Sequence, residues 1–214
     1  MTNQGVISES HDAIRFGGVK FSGCPHMCAF FHGMDEEYRV LLPFIKEGIE
    51  RGEKIFHTFD MQQQAAYLQR LGLVGIDPAV VMRSGQLQLR DWHDVYLHNS
   101  HFDKSRMLKA IPEILEQGRQ QGFPLTRLIA HCEWYEQDWP GANDFMEYEA
   151  RLNYILPQYR DPVLCVYDPS KCRGEIIIDV MRTHPLVIIG GILHENPFFV
   201  PPDEFLRDLG ARKA

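Results

Sequence analysis

Cys28-Ala29-Phe30-Phe31-His32-Gly33-Met34-Asp35-Glu36-Glu37 is the stretch on which the fold turns. Its four leading residues read as the core of a short buried strand, which stops at His32-Gly33. An acidic helix start follows, with Asp35 as the expected N-cap. Tyr38, Leu41, Leu42, Ile45 and Ile49 then recur at the interval of a core-facing helix that Pro43 should kink and Gly52 should end. A strand that runs into a helix is half of a crossover unit. In a parallel α/β sheet, the turn between them lies on the edge where ligands gather. Here that turn carries Asp35, Glu36 and Glu37, which suit the positive end of a helix but would repel a triphosphate. Neither G-x-x-x-x-G-K-[ST] nor G-x-G-x-x-G is present. ATP is therefore not an expected cofactor, and ATP hydrolysis by the usual route is not expected.

The alternation continues outward. Lys54 to Asp60 reads as a strand, Gln62 to Leu71 as a helix closed by Gly72, and Gln86 to Arg90 as a short strand. Asp103 should cap a helix with Met107, Leu108, Ile111, Ile114 and Leu115 inward. Thr126 to Trp134 reads as a strand, about Asp144 to Leu156 as a helix and Pro162 to Tyr167 as a strand. Glu175 to Thr183 reads as a helix and Leu186 to Leu193 as a last strand. An extended tail from Asn196 to Pro202 then leads into a helix ending near Leu209. Apolar strands between amphipathic helices specify an α/β three-layer sandwich around a mostly parallel central sheet. No repeat or linker divides it. Residues 1–20 are expected to form an N-terminal arm, 21–209 a single domain and 210–214 a tail.

The bulk numbers narrow the function classes. The 214 residues carry 22 Lys and Arg against 29 Asp and Glu, a net charge of -7, and the positive residues are scattered. Such a surface repels phosphate backbones, so no direct nucleic-acid partner is expected. No window approaches the run of roughly 18 apolar residues that spans a membrane, and the N-terminus lacks a signal-peptide pattern. Five dispersed cysteines, an odd number, argue for reduced thiols and a cytoplasmic location.

The most unusual segment is Cys24-Pro25-His26-Met27-Cys28. Its thiols and imidazole are soft ligands for a transition metal such as zinc or copper, or for haem iron. Alternate residues of a strand share a face, so His26 and Cys28 could meet one ion or small molecule. Cys24 lies roughly 13 Å from Cys28 at about 3.3 Å per residue, and joins them only if Pro25 bends the chain. The plainer alternative is a buried thiol beside a hydrogen-bonded imidazole. A second cluster, His131-Cys132-Glu133-Trp134, closes a probable central strand with His131 and Glu133 on one face. His57 and Asp60, Tyr167 and Asp168, and His194 and Glu195 also stand at strand ends. In a parallel sheet they should converge with His131 and Glu133 on one edge. Trp92, Trp134, Trp139, Phe198 and Phe199 offer aromatic walls. His93, His98 and His101 are assigned to an exposed loop. No Ser-His-Asp order, nucleophile elbow or H-E-x-x-H is present, so no catalytic residue is named.

Gly23-x-x-His26-x-Cys28, the run Leu41 to Lys54 and the ending Asn196 to Leu206 together resemble the MEDS domain, the methanogen/methylotroph DcmR sensory domain, over roughly residues 20–209. The resemblance implies a RecA/KaiC-like fold without a phosphate loop. It also implies sensing of small molecules, hydrocarbon derivatives among them, with His26 and Cys28 as ligand or metal contacts. Sensors of this kind are often joined to a helix-turn-helix or a kinase, which this chain lacks. Its signal is therefore expected to pass through a partner protein, with a homodimer as a further expectation. Three readings stay open: a stand-alone sensory domain, a non-catalytic interaction module docking through Phe198 and Phe199, and a metal-dependent enzyme using His131 and Glu133.

Overall fold

A computed structural model describes residues 14–16, 19–21 and 26–213 of the chain. A short antiparallel hairpin, β1 (Ile14–Phe16) and β2 (Val19–Phe21), comes first. Phe16 is buried against Phe44, 4.9 Å between ring centroids, so this part of the expected arm packs on the core. β3 (His26–Phe30) is buried along its whole length and leads into α1 (Met34–Glu50). The N-cap of α1 is Gly33, at φ 88°, and not Asp35. Asp35 accepts instead from Arg70 Nη2 at 2.8 Å. Pro43 lies within the continuous helix.

β4 (Lys54–Phe59), α2 (Gln64–Leu73), α3 (Pro78–Arg83) and β5 (Leu87–Asp91) follow. A short helix, α4 (Trp92–Tyr96), and a minimal hairpin, β6 (Leu97–His98) and β7 (His101–Phe102), lead to α5 (Lys104–Gln120). Asp103 caps α5 as expected, accepting from Ser105 N and Arg106 N. The rest is β8 (Thr126–His131), α6 (Phe145–Ile155), β9 (Val163–Tyr167), α7 (Gly174–Thr183), β10 (Leu186–Ile189), β11 (Ile192–Glu195) and α8 (Pro202–Lys213).

The main sheet has seven strands in the order β11-β10-β3-β9-β8-β4-β5. Every neighbouring pair is parallel except β10 with β11. Strand alternation sorts the core into two layers. Met27, Ala29, Ile55, Ile129 and Leu164 face α1 and α2, whereas Cys28, Phe30, Phe56, Leu128 and Cys165 face α5 and α6. Burial on both faces is what makes these strands read as unbroken apolar runs. The single strand expected from Leu186 to Leu193 is in fact a hairpin. Gly190 (φ 59°) and Gly191 (φ 78°) form the two-residue turn that such positive angles allow. β11 therefore runs backward, and Glu195 lies opposite Leu186.

One buried charge locks α1 to the sheet. Arg127, fully buried on β8, donates through Nε to Glu53 Oε2 at 2.5 Å. Its Nη1 donates to the Phe44 carbonyl at 2.6 Å and to Glu47 Oε2 at 3.1 Å. Gly48 leaves room for this side chain: a Cβ there would stand 2.7 Å from Arg127 Nε and 2.8 Å from its Cδ. Gly48→Ala gains about 1 kcal/mol of helix propensity. It also wedges a methyl against a guanidinium fixed by three bonds, where overpacking costs about 1–3 kcal/mol. Urea unfolding should show a net loss of stability for Gly48→Ala; a variant as stable as the parent would contradict this packing.

Candidate functional site

The carboxyl ends of β3, β4, β8 and β9 enclose a cleft of about 370 Å³, where parallel α/β sheets bind ligands. Its first wall is the turn before α1. There Glu36 Oε2 accepts the backbone N–H of His32 at 2.8 Å, and Glu37 reaches into the cleft. The opposite wall follows β8. His131 is the last residue of that strand, and Glu133 and Trp134 belong to the single 3₁₀ turn Glu133–Glu136 rather than to an extended strand. Asp60 and Asp168 complete an acidic rim, and Lys171, 3.4 Å from Asp168, adds one cation.

His131 is the electrostatic centre of the cleft. Its Nε2 lies 3.3 Å from Glu37 Oε1 and its Nδ1 3.7 Å from Glu133 Oε2. Burial alone would lower this imidazole, but the two carboxylates outweigh it and raise it to about 10. His57 stacks on it at 5.4 Å and has the opposite fate, since burial and then the neighbouring His131 push it well below the usual histidine range. A hydrogen bond of 3.1 Å joins His57 Nδ1 to Tyr67 Oη. Trp92 stacks on Trp134 at 6.1 Å with planes 8° apart, forming an aromatic wall. Trp134 keeps its buried indole N–H without a partner.

A second polar group is enclosed in the layer between the sheet and α6. His26 Nε2, Glu149, Cys165 Sγ and His184 Nε2 offer four donor atoms within 4.8 Å of one another, all buried. Burial alone would raise the Glu149 carboxyl, but the His184 and His26 imidazoles reverse the sign and hold it down at about 2. Burial and then His26 lower His184.

The sequence-level candidates divide accordingly. His131, Glu133, Asp60, Tyr167 and Asp168 do converge on one edge. His194 and Glu195 do not, because β11 is antiparallel and carries them toward the opposite end of the sheet. Cys28 lies on the same side of the sheet as His26, yet it is outside the four-donor group, with its thiol 3.8 Å from the Leu186 carbonyl. Cys24 falls outside the described residues. His98 and His101 are exposed as expected but face each other in the β6–β7 hairpin, and His93 lies in α4, so the three do not share one open loop. Glu149, Cys165 and His184 were not foreseen. The only signal for Glu149 was a charge on the inward face of α6, beside Phe145, Tyr148 and Leu152. The cysteines described (Cys28, Cys132, Cys165 and Cys172) are free thiols. Among the described residues, no helix is long and apolar enough to cross a membrane.

Comparison with known proteins agrees with this architecture. The chain is 25% identical over 170 residues to the transcriptional repressor DcmR of Methylorubrum extorquens, covering 78% of this chain and 60% of that protein. It thus spans less than two thirds of the relative's length. A KaiC-like protein of Pyrococcus horikoshii OT3 superposes with a TM-score of 0.51 over 81% of this chain and 79% of its own, at 14% identity, which is a likeness of fold. The flagellar accessory protein FlaH of Methanocaldococcus jannaschii gives a TM-score of 0.49 over 80% and 76%, at 9% identity. The model of the methanogen/methylotroph DcmR sensory domain matches residues 25–185, three quarters of the chain, and the protein belongs to this MEDS family.

Proposed function

We propose that the chain is a sensory domain that binds a small, cationic or uncharged organic molecule in the cleft at the carboxyl edge of its sheet and reports occupancy to a partner protein. One observation carries this reading: the site where a nucleotide-binding relative would hold phosphate is lined by Glu37, Asp60, Glu133 and Asp168 around one imidazolium and one lysine. Anions are repelled there. A ligand with hydrogen-bond donors finds acceptors on Glu133 and Glu37, and an apolar portion finds the Trp92/Trp134 wall. The hydrocarbon derivatives implied by the family are of this class. His131 and Glu133 act as ligand contacts, with no covalent step.

Transfer of the signal by protein contact is supported by an apolar patch on α7 and the tail. Ile178 (62% exposed) and Phe198 (63%) flank a shallow cavity of about 360 Å³ with Ile177 and Met181. Patches of this kind mark interaction surfaces. The DcmR relative is a transcriptional repressor, so control of gene expression through such a contact is the output we propose. The acidic surface is consistent with a protein carrying the contact to nucleic acid.

Isothermal titration with short-chain amines and alcohols, against acetate and inorganic phosphate as anions, tests the ligand class. Amines or alcohols should bind, anions should not, and Glu133→Gln should weaken the amines about tenfold or more, the effect of losing one charge-assisted hydrogen bond. Phosphate binding as well as the amines would end this reading.

A second test uses pH. The folded His131 is raised to about 10, against about 6.5 when unfolded. Its stabilisation is complete below about 6.5 and disappears as pH rises through the folded value. The melting temperature of Glu37→Gln should lie below wild type near neutrality, and the gap should close toward about pH 10. A gap constant across that window would show that Glu37 does not hold the His131 charge.

A further inference from the structure

The buried group between the sheet and α6 poses a charge problem that its hydrogen bonds make explicit. His184 Nδ1 lies 2.8 Å from the Val180 carbonyl, which can only accept, so Nδ1 carries a proton. Asn153 donates its amide N–H to the Thr183 carbonyl at 2.8 Å and to the Ala150 carbonyl at 3.3 Å. That orientation turns its Oδ1 toward His26 Nδ1, at 3.2 Å, which must then donate. Both imidazoles therefore present Nε2 to the centre, and both reach the same oxygen: Glu149 Oε2 is 3.1 Å from His26 and 3.2 Å from His184.

Neutral rings would aim two lone pairs at an anionic oxygen. A single proton relieves one contact and leaves the other. Two protons put a pair of imidazoliums, 4.1 Å between ring centroids, on one carboxylate with every member buried, leaving an uncompensated positive charge. A divalent cation among the donors removes each conflict. The Glu149 carboxylate and a Cys165 thiolate then balance its two charges. Cys165 Sγ is placed for this, 3.6 Å from His26 Nε2 and 3.7 Å from Glu149 Oε2.

We infer that His26, Glu149, Cys165 and His184 form a closed four-ligand site for a divalent transition-metal ion of zinc's class. Zinc holds nitrogen at about 2.0–2.1 Å and sulfur at about 2.3 Å in a tetrahedron, whose edges are then about 3.3–3.6 Å. Four of the six separations, 3.1, 3.2, 3.6 and 3.7 Å, are close to those edges, and all six lie within 4.8 Å. Nδ1 donation to a carbonyl or side-chain amide is the outer support that metal-bound histidines have. Two nitrogens, a sulfur and one oxygen suit zinc rather than magnesium or calcium. With four protein donors and no exposure, the ion has no open position for substrate, so the site is structural. It binds β3, α6, β9 and the residue after α7 to one point, and uptake releases the Cys165 thiol proton to solvent. This inference does not depend on the cleft as the ligand site.

Protein purified without chelators should contain a single equivalent of zinc by mass spectrometry. Replacement by Co²⁺ should give the visible bands of a tetrahedral ion and a near-ultraviolet thiolate charge-transfer band. Cys165→Ser should abolish the charge-transfer band, whereas Cys28→Ser should keep it. X-ray absorption of the wild-type zinc form gives an answer that needs no folded variant: one sulfur at about 2.3 Å among nitrogen and oxygen neighbours. Folded protein that neither contains nor takes up stoichiometric metal would overturn the assignment, as would a zinc shell with no sulfur or two, or an unchanged band in Cys165→Ser.

Discussion

The carboxylate of Glu36, bonded at 2.8 Å to the backbone N–H of His32, is the contact from which the cleft follows. The start of a helix after a parallel strand leaves N–H groups without intrahelical partners and a positive dipole end, which is why nucleotide-binding folds place phosphate there. Here the turn supplies its own anion. Gly33, at φ 88°, lets the chain turn tightly enough for Glu36 to fold back over it. Glu37, one residue on, points to His131 and fixes the charge of that ring. A helix start that binds anions elsewhere has become a donor of negative charge to the cleft.

The same sequence features show how far a linear reading reaches. Strands buried on both faces leave apolar runs, so β3, β4 and β9 were legible within a residue or two, whereas β8 stops three residues before the expected Trp134. The β10–β11 hairpin was not, because Leu186 to Leu193 is apolar on both sides of Gly190-Gly191 and periodicity cannot distinguish one strand from two. Asp35 has N-cap chemistry, but Arg70, from α2, takes its carboxylate. For the sites, the difference is one of distance along the chain. His131 and Glu133 share one strand end and were visible together. Glu37 joins them from α1, far away in the chain, and the partners of His26 come from α6, β9 and the end of α7. Alternation along β3 pointed to Cys28 as the companion of His26. The register instead sets Cys165, opposite Cys28 on β9, beside the imidazole.

Arg127, His131 and Glu149 are each buried among groups of opposite charge, and each set joins elements that propensity alone would not hold together. Arg127 links β8 to Glu47 and Glu53 at the two ends of the α1–β4 connection. His131 links β8 to α1 through Glu37. The group around Glu149 links α6 to β3 and to the residue after α7. Removing one member of such a set strands the others, at a cost of about 3–5 kcal/mol for a buried pair. Burial in these sets therefore restricts how the helices can dock.

The two polar centres lie at different levels of the same sheet, and their surroundings match different tasks. The cleft group is partly exposed, has its cation fixed by two carboxylates and retains an unpartnered indole donor nearby, so it can exchange a small molecule with solvent. The deeper group is buried and spends its outer nitrogens on Val180 and Asn153, so whatever it holds is held with the fold. Because α7 carries the exposed Ile178 and ends beside His184, the surface proposed for a partner is positioned by the buried centre. The proposed recognition at the upper edge and the proposed docking through α7 are thus joined by packing through one continuous sheet.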